Sequence, residues 1–160
     1  MIWVALFLLI LEIPLFAHGG KDHRASKIMV STPSSLEQIN SYYKKDIKEI
    51  FKAKCYDCHS SFTRTYWHSH LPIAKQMIER DIRDGRKHLD MSHDFPFEGH
   101  GSPKEDLQAI AKTIERSDMP PMRYRLLHPK SKLTSSEEET ILLWIEKSLE
   151  LLNKGVSQHE

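Results

Sequence analysis

Two cysteines with two residues between them and a histidine directly after, Cys55-Tyr56-Asp57-Cys58-His59, constrain this chain more than any other feature. On a helical turn, residues three and four apart share a side. Cys55, Cys58 and His59 would therefore face one way. That set suits a porphyrin: its neighbouring vinyl groups each accept a thiol to form a thioether, while an imidazole from the same turn reaches the iron. The spacing predicts one haem c, attached covalently at Cys55 and Cys58, with His59 as an iron ligand. Two other chemistries compete. A zinc site would use the same three residues with His68 or His70 as fourth ligand, but the chain has no second cysteine pair and adjacent Cys58 and His59 make awkward co-ligands. A redox dithiol belongs in a βαβ context, which is lacking here. A structural disulfide so short closes a tiny loop and stabilises little.

The first residues bear on compartment. Residues 2–11 are almost unbroken apolar, then Glu12, Pro14 and Leu15-Phe16-Ala17 follow. A run of about ten is the length of a signal-peptide core and short for a membrane span. The expectation is a signal peptide over 1–19, cut after Ala17 or Gly19, although no Lys or Arg precedes the run; an uncleaved anchor is the alternative. The protein would then be periplasmic or exported, with membrane association only if the leader stays. If cleavage exposes His18, its amine and imidazole could chelate copper, against the plainer reading of a tether carrying histidines. Basic and acidic side chains number 23 and 22, for a net charge of +1. That balance excludes the electrostatic footprint of a nucleic-acid binder and a basic helix that would hug an anionic membrane. The hydrophobic share is 39%, part of it in the leader. The rest is short of core material, a deficit that a large flat apolar cofactor would help to fill.

Residues 20–35 read as a flexible linker, 36–153 as the folded domain and 154–160 as a tail. Leu36, Ile39, Tyr43, Ile47, Ile50 and Phe51 mark one face of a helix that runs into Cys55. A second helix is expected over 72–84, with Pro72 at its start, Gly85 just beyond its end and an apolar stripe of Ile73, Met77, Ile78 and Ile82. A third covers 103–116 with Leu107, Ile110, Ala111 and Ile114 on one side. The last begins at Thr134, whose spacing to Glu137 suits a capping box; Ile141, Leu142, Ile145, Leu149 and Leu152 form its stripe, and Gly155 can close it. Residues 90–102 and 117–133 read as loops, and no stretch alternates as a strand. The fold class is all-α.

A second iron ligand would come from a loop crossing the haem. In Met119-Pro120-Pro121-Met122 the prolines hold the backbone extended, and a stiff segment can hold a thioether at a set distance. Met119 is the leading candidate and Met122 its rival; Met91, His70, His88, His100 and His128 stay open by residue chemistry, against core packing for a methionine and solvated surface for a histidine. Arg86 and Arg123 are candidates to pair with haem propionates, against solvated surface charge.

The ordering of these elements resembles class I cytochromes c. It is more closely similar to the bacterial haem-binding domain family of small cytochrome c-like proteins. The matching residues are Cys55-Tyr56-Asp57-Cys58-His59-Ser60, Thr65-Tyr66-Trp67, Gly85-Arg86, Leu89, Ser92, Met119-Pro120-Pro121, Tyr124, His128-Pro129, Lys132-Leu133-Thr134, Glu137-Glu138 and Trp144. The resemblance spans roughly residues 36–152. It implies a cytochrome c-like helical domain wrapped around one covalent haem, with His59 as proximal and Met119 as distal ligand. The chain departs where family members often read Tyr-Pro-Trp-Tyr: here stand Tyr66-Trp67-His68-Ser69, and His68 and His70 add imidazoles. Residues 94–102 look locally expanded. The function expected is one-electron transfer with transient redox partners; the alternative is a haem peroxidase or a gas or redox sensor with a displaceable distal ligand.

Overall fold

Ile39, Tyr43, Ile47 and Phe51 fall four residues apart, and each is at most 1% exposed. Four residues advance an α-helix by about 400°, so a strict four-residue stripe drifts some 40° per step. The chain absorbs the drift by widening one turn. In the computed structural model, which describes residues 33–157, helix α1 (Pro33–Tyr42) passes through a π-helical turn (Tyr43–Ile47) into α2 (Lys48–Lys54). The wider turn brings the stripe back to one side. The leader and the copper reading of His18 lie outside the described residues. The helix starts at Pro33, earlier than the expected start at Leu36.

After α2 come the short helix α3 (Tyr56–His59), a 3-10 turn (Trp67–His70), α4 (Pro72–His88), strands β1 (Leu89–Asp90) and β2 (Glu98–Gly99), and α5 (Pro103–Glu115). The chain closes with α6 (Met122–Leu127), a 3-10 turn (Pro129–Ser131) and α7 (Ser135–Ser157). The protein is mostly helical, with β1 and β2 as a minimal antiparallel pair, Leu89 opposite Gly99. Gly99 has φ +138, and a Cβ there would sit 2.6 Å from the His88 carbonyl oxygen. Only glycine fits that turn.

Both long helices after the hairpin begin with a reciprocal cap. Ser102 and Glu105 form a capping box at α5. At α7 the Glu137 amide donates to the Thr134 hydroxyl at 3.2 Å, and the Thr134 amide donates to the Glu137 carboxylate at 2.7 Å. Helix α7 lies against α1, the π turn and α5. Its buried line is Ile141, Trp144, Ile145, Ser148 and Leu152, with Leu142 and Leu149 half-buried beside it. It runs through Gly155 to Ser157, so that glycine does not end it.

The expanded segment after α4 is core. Phe95 and Phe97 are 1% and 0% exposed. Phe97 lies edge-on to Tyr43 at 5.3 Å and Phe95 edge-on to Trp144 at 5.8 Å. Such pairs add about 0.5–1.5 kcal/mol each beyond the area they bury. The loop thus supplies apolar volume that the helices alone lack, and the core does not depend on a cofactor for all of its filling. Asp94, accepting from Lys48 at 2.7 Å with Lys44 at 3.4 Å, pins the loop to α2 and the π turn.

Phe97→Ala removes a ring enclosed by aromatic neighbours and is expected to cost about 3–5 kcal/mol. Urea unfolding checks this as a lower midpoint at unchanged slope. A loss below about 0.5 kcal/mol, typical of surface sites, would mean the segment is not core.

Candidate functional site

The turn carrying the cysteines has two faces with different jobs. The Cys55 carbonyl accepts from the Cys58 amide at 3.2 Å and the His59 amide at 3.1 Å, which closes the turn. At about 100° per residue, Cys55, Cys58 and His59 fall on one side, and Tyr56 and Asp57 on the other. Burial follows this division. Tyr56 and Asp57 are buried, while Cys55, Cys58 and His59 are half-buried. The Tyr56 hydroxyl meets the Tyr43 hydroxyl at 2.9 Å, which ties the turn to the core. Burial, and then the neighbouring thiol, pushes Cys55 up to about 12. Burial, with Asp81 and Asp57 nearby, raises Cys58 to about 11. A redox dithiol needs a lowered thiol pKa; these two are held as neutral thiols, which disfavours that reading.

His59 is gripped on both sides by the chain leaving α4. Its ring Nδ1 lies 2.9 Å from the Leu89 carbonyl oxygen. A carbonyl only accepts, so Nδ1 carries the proton and Nε2 keeps its lone pair for a metal. The His59 carbonyl in turn accepts from the Met91 amide at 2.6 Å. Burial lowers the imidazole's proton affinity and favours the neutral form that can ligate. The grip requires α4 to pass very close. A Cβ on Gly85 would lie 2.7 Å from the Cys58 carbonyl oxygen. Gly85 therefore sits inside α4 as a close-approach residue, and the expected helix end there is corrected: α4 continues to His88.

Asp57 is the polar hub of the site, and spacing gave no sign of it. Its carboxylate accepts from the Arg64 amide, Nε and Nη2, from the Tyr66 hydroxyl at 3.0 Å and from the Tyr124 hydroxyl. Burial pushes this carboxyl up, but the bonds from Arg64, Tyr124 and Tyr66 together bring it below its ordinary value. A buried charge without partners would be costly; here each oxygen is paired. Tyr124 stacks on His128 with ring centroids 4.1 Å apart, and Tyr66 lies 4.3 Å from the same imidazole. The signal that could have revealed this was an acidic residue inside a turn bound for burial, with an arginine and two tyrosines in the motifs that follow.

The remaining candidates fall into distinct settings. His68 is buried and stacked on Tyr66 at 5.6 Å, while His70 is exposed. Among the described residues no group of three or more His, Cys, Asp or Glu side chains converges as a metal site, so the zinc reading gains no geometric support. Met91 is core, whereas Met119 is 48% and Met122 66% exposed. Met122 opens α6 and is not part of an extended loop. His88 and His100 are exposed, and the Nδ1 of His128 bonds the Tyr124 carbonyl at 3.0 Å. Arg86 Nε donates to Asp90 at 2.8 Å, and Arg123 Nη2 to Asp81 at 2.6 Å. Both guanidinium groups are thus engaged within the protein.

Helix α4 supplies the test of whether this site fits a haem. It has no buried residue. Ile73 is 78% and Met77 49% exposed, and Ile78 and Ile82 are half-buried. The expected stripe is present, but protein covers only part of it. An apolar face left partly bare on the helix that packs against the cysteine turn suits a flat apolar group held there. Together with two neutral thiols and an imidazole whose Nδ1 is held by Leu89, the residues fit.

The haem-binding domain model matches residues 11–147. The chain belongs to the haem-binding domain family. It is also 25% identical, over 137 residues, to a protein named cytochrome c peroxidase Ccp from Escherichia coli (strain K12). That match covers 81% of this chain and 27% of the relative, so the chain spans about a quarter of the relative's length. No solved structure matches. Family membership and the partly bare face of α4 agree that this is a haem-binding protein.

Gly85→Ala tests the close approach. Alanine favours a helix over glycine by about 1 kcal/mol, yet its Cβ must push a backbone carbonyl away, at a cost of about 1–3 kcal/mol. A net loss of thermal stability is expected; a gain would show that α4 has slack at this point.

Proposed function

We propose that this chain is a monohaem c-type cytochrome domain that transfers single electrons in the periplasm. The observation that carries the reading is the Cys55–His59 turn, with both thiols and the His59 imidazole on one side and its other side bonded into the protein. In this reading Cys55 and Cys58 would hold the haem through two thioethers, each thiol supplying its sulfur and hydrogen to one vinyl group with no leaving group. The proton on Nδ1 of His59, held by Leu89, orients the ring and raises the basicity of Nε2. Haem, when bound, supplies a one-electron Fe(III)/Fe(II) couple. Met119 is assigned as distal ligand, with Met122 as its rival. Asp57, Arg64 and Tyr124 keep the cysteine turn and α6 in fixed relation. The partners would be redox proteins that dock transiently. A leader over residues 1–19 would direct the chain to the periplasm, or retain it at the membrane if uncut.

A second reading is favoured by one observation, the similarity to a protein named a cytochrome c peroxidase. Under it the distal ligand is displaceable, and the chain acts on peroxide or senses a gas. The exposure of Met119 and Met122 is compatible with such a segment. Carbon monoxide added to the reduced protein, or peroxide to the oxidised protein, separates the two. Spectral indifference favours electron transfer, and a prompt change favours the second reading.

Expression beside a c-haem maturation system provides the test. Intact mass and a haemochrome spectrum should report one covalent haem in wild type and sharply reduced covalent retention in Cys55→Ala and in Cys58→Ala. Met119→Ala should keep the covalent haem and become high-spin or open to carbon monoxide. If Met122→Ala does so instead, the ligand is Met122. A colourless wild type with free thiols would overturn the reading.

A further inference from the structure

We propose that Asp57 is the positioning residue for the distal side: through Tyr124 it holds the Met119-Pro120-Pro121 segment in register with the Cys55–His59 turn. This rests on the assignment of Met119 as distal ligand.

Helix α6 begins directly after Pro121 and has no buried residue. Leu126 and Leu127 are exposed. Hydrophobic burial therefore does little to fix the helix that follows the methionine segment. Among the described residues, two side-chain links to carboxylates tie it across the fold. One is Arg123 with Asp81 on α4, an exposed ion pair of a kind that contributes little. The other is the half-buried hydrogen bond from the Tyr124 hydroxyl to Asp57. A bond to a carboxylate shielded from water is among the stronger ones a protein makes.

The second link is closed into a ring of contacts. Tyr124 stacks on His128, His128 lies against Tyr66, and Tyr66 donates back to Asp57 at 3.0 Å. Arg64 engages both carboxylate oxygens. An acceptor-only carboxylate at position 57 can take all of these donors. An asparagine turns an amide N–H₂ toward at least one of them. Position 57 thus joins the residues that present the proximal imidazole to the helix that follows the distal segment.

The test uses the full-length haem-loaded protein with Met119→Ala as reference. Tyr124→Phe removes one hydroxyl and changes no residue of the cysteine turn, whose Asp57 keeps its bonds from Arg64 and Tyr66. The variant should keep the covalent haem and stay cooperatively folded, with an unfolding temperature lowered by about 3–6 °C. The fraction of ferrous protein that binds carbon monoxide should rise about tenfold, the size expected for loss of one charge-assisted hydrogen bond. The ferric spectrum should gain a high-spin component. In the haem-loaded protein, amide exchange at Tyr124 and His128 should quicken. Asp57→Asn should act in the same direction, and the double variant should be no worse than the stronger single one. Wild-type indifference to carbon monoxide in Tyr124→Phe, while Met119→Ala opens the iron, overturns this proposal alone. If Met119→Ala itself leaves the iron closed, the distal assignment fails and the proposal falls with it. Should Asp57→Asn lose its haem during maturation, Tyr124→Phe decides.

Discussion

One helical turn organises the site because it must serve two masters. Its outer side presents two thiols and an imidazole, none of which can be buried in protein if a cofactor is to reach them. A turn of α3's length has no stability of its own in water. Its inner side therefore carries the attachment: Tyr56 reaches Tyr43 in the core, and Asp57 gathers Arg64, Tyr66 and Tyr124. The two residues between the cysteines do as much for the site as the cysteines themselves.

The approach of α4 follows from the same constraint. Holding Nδ1 of His59 requires a carbonyl at a set place, and Leu89 supplies it at the end of α4. Any side chain larger than hydrogen at position 85 would hold that helix off the Cys58 carbonyl. Close packing at one point then leaves Ile73 and Met77 of α4 exposed and Ile78 and Ile82 only half-buried. A helix with an amphipathic pattern but no buried residue would be poorly placed in an ordinary globular domain, and it is well placed beside a flat apolar cofactor.

The core and the site are also separable. Tyr43, Phe51, Phe95, Phe97 and Trp144 form an aromatic cluster on the side of α1, α2, α5 and α7. The elements around the cysteine turn are held more by polar links and a single glycine contact than by apolar burial. Stability concentrated on one side and openness on the other is a common division where a ligand must enter.

Local pattern made much of this legible. The helical stripes, the cap at Thr134 and the cysteine-histidine spacing depend on residues within a few positions of one another, and periodicity reports such relations directly. At Gly85 the helix boundary is not legible locally, because glycine marks both helix ends and close contacts, and only the Cys58 carbonyl across space tells which. The segment carrying Phe95 and Phe97 looked like an unexplained insertion, since nothing local shows that a loop residue lies in a core. By itself the sequence determined the helical class and the placement of two sulfurs and an imidazole on one turn, because both follow from about 100° of rotation per residue. Tertiary structure alone decided that Leu89 fixes the tautomer of His59, that Asp57 meets Tyr124 and that the stripe of α4 stays partly bare. Those contacts join residues tens of positions apart, and chain packing, not local conformation, brings them together.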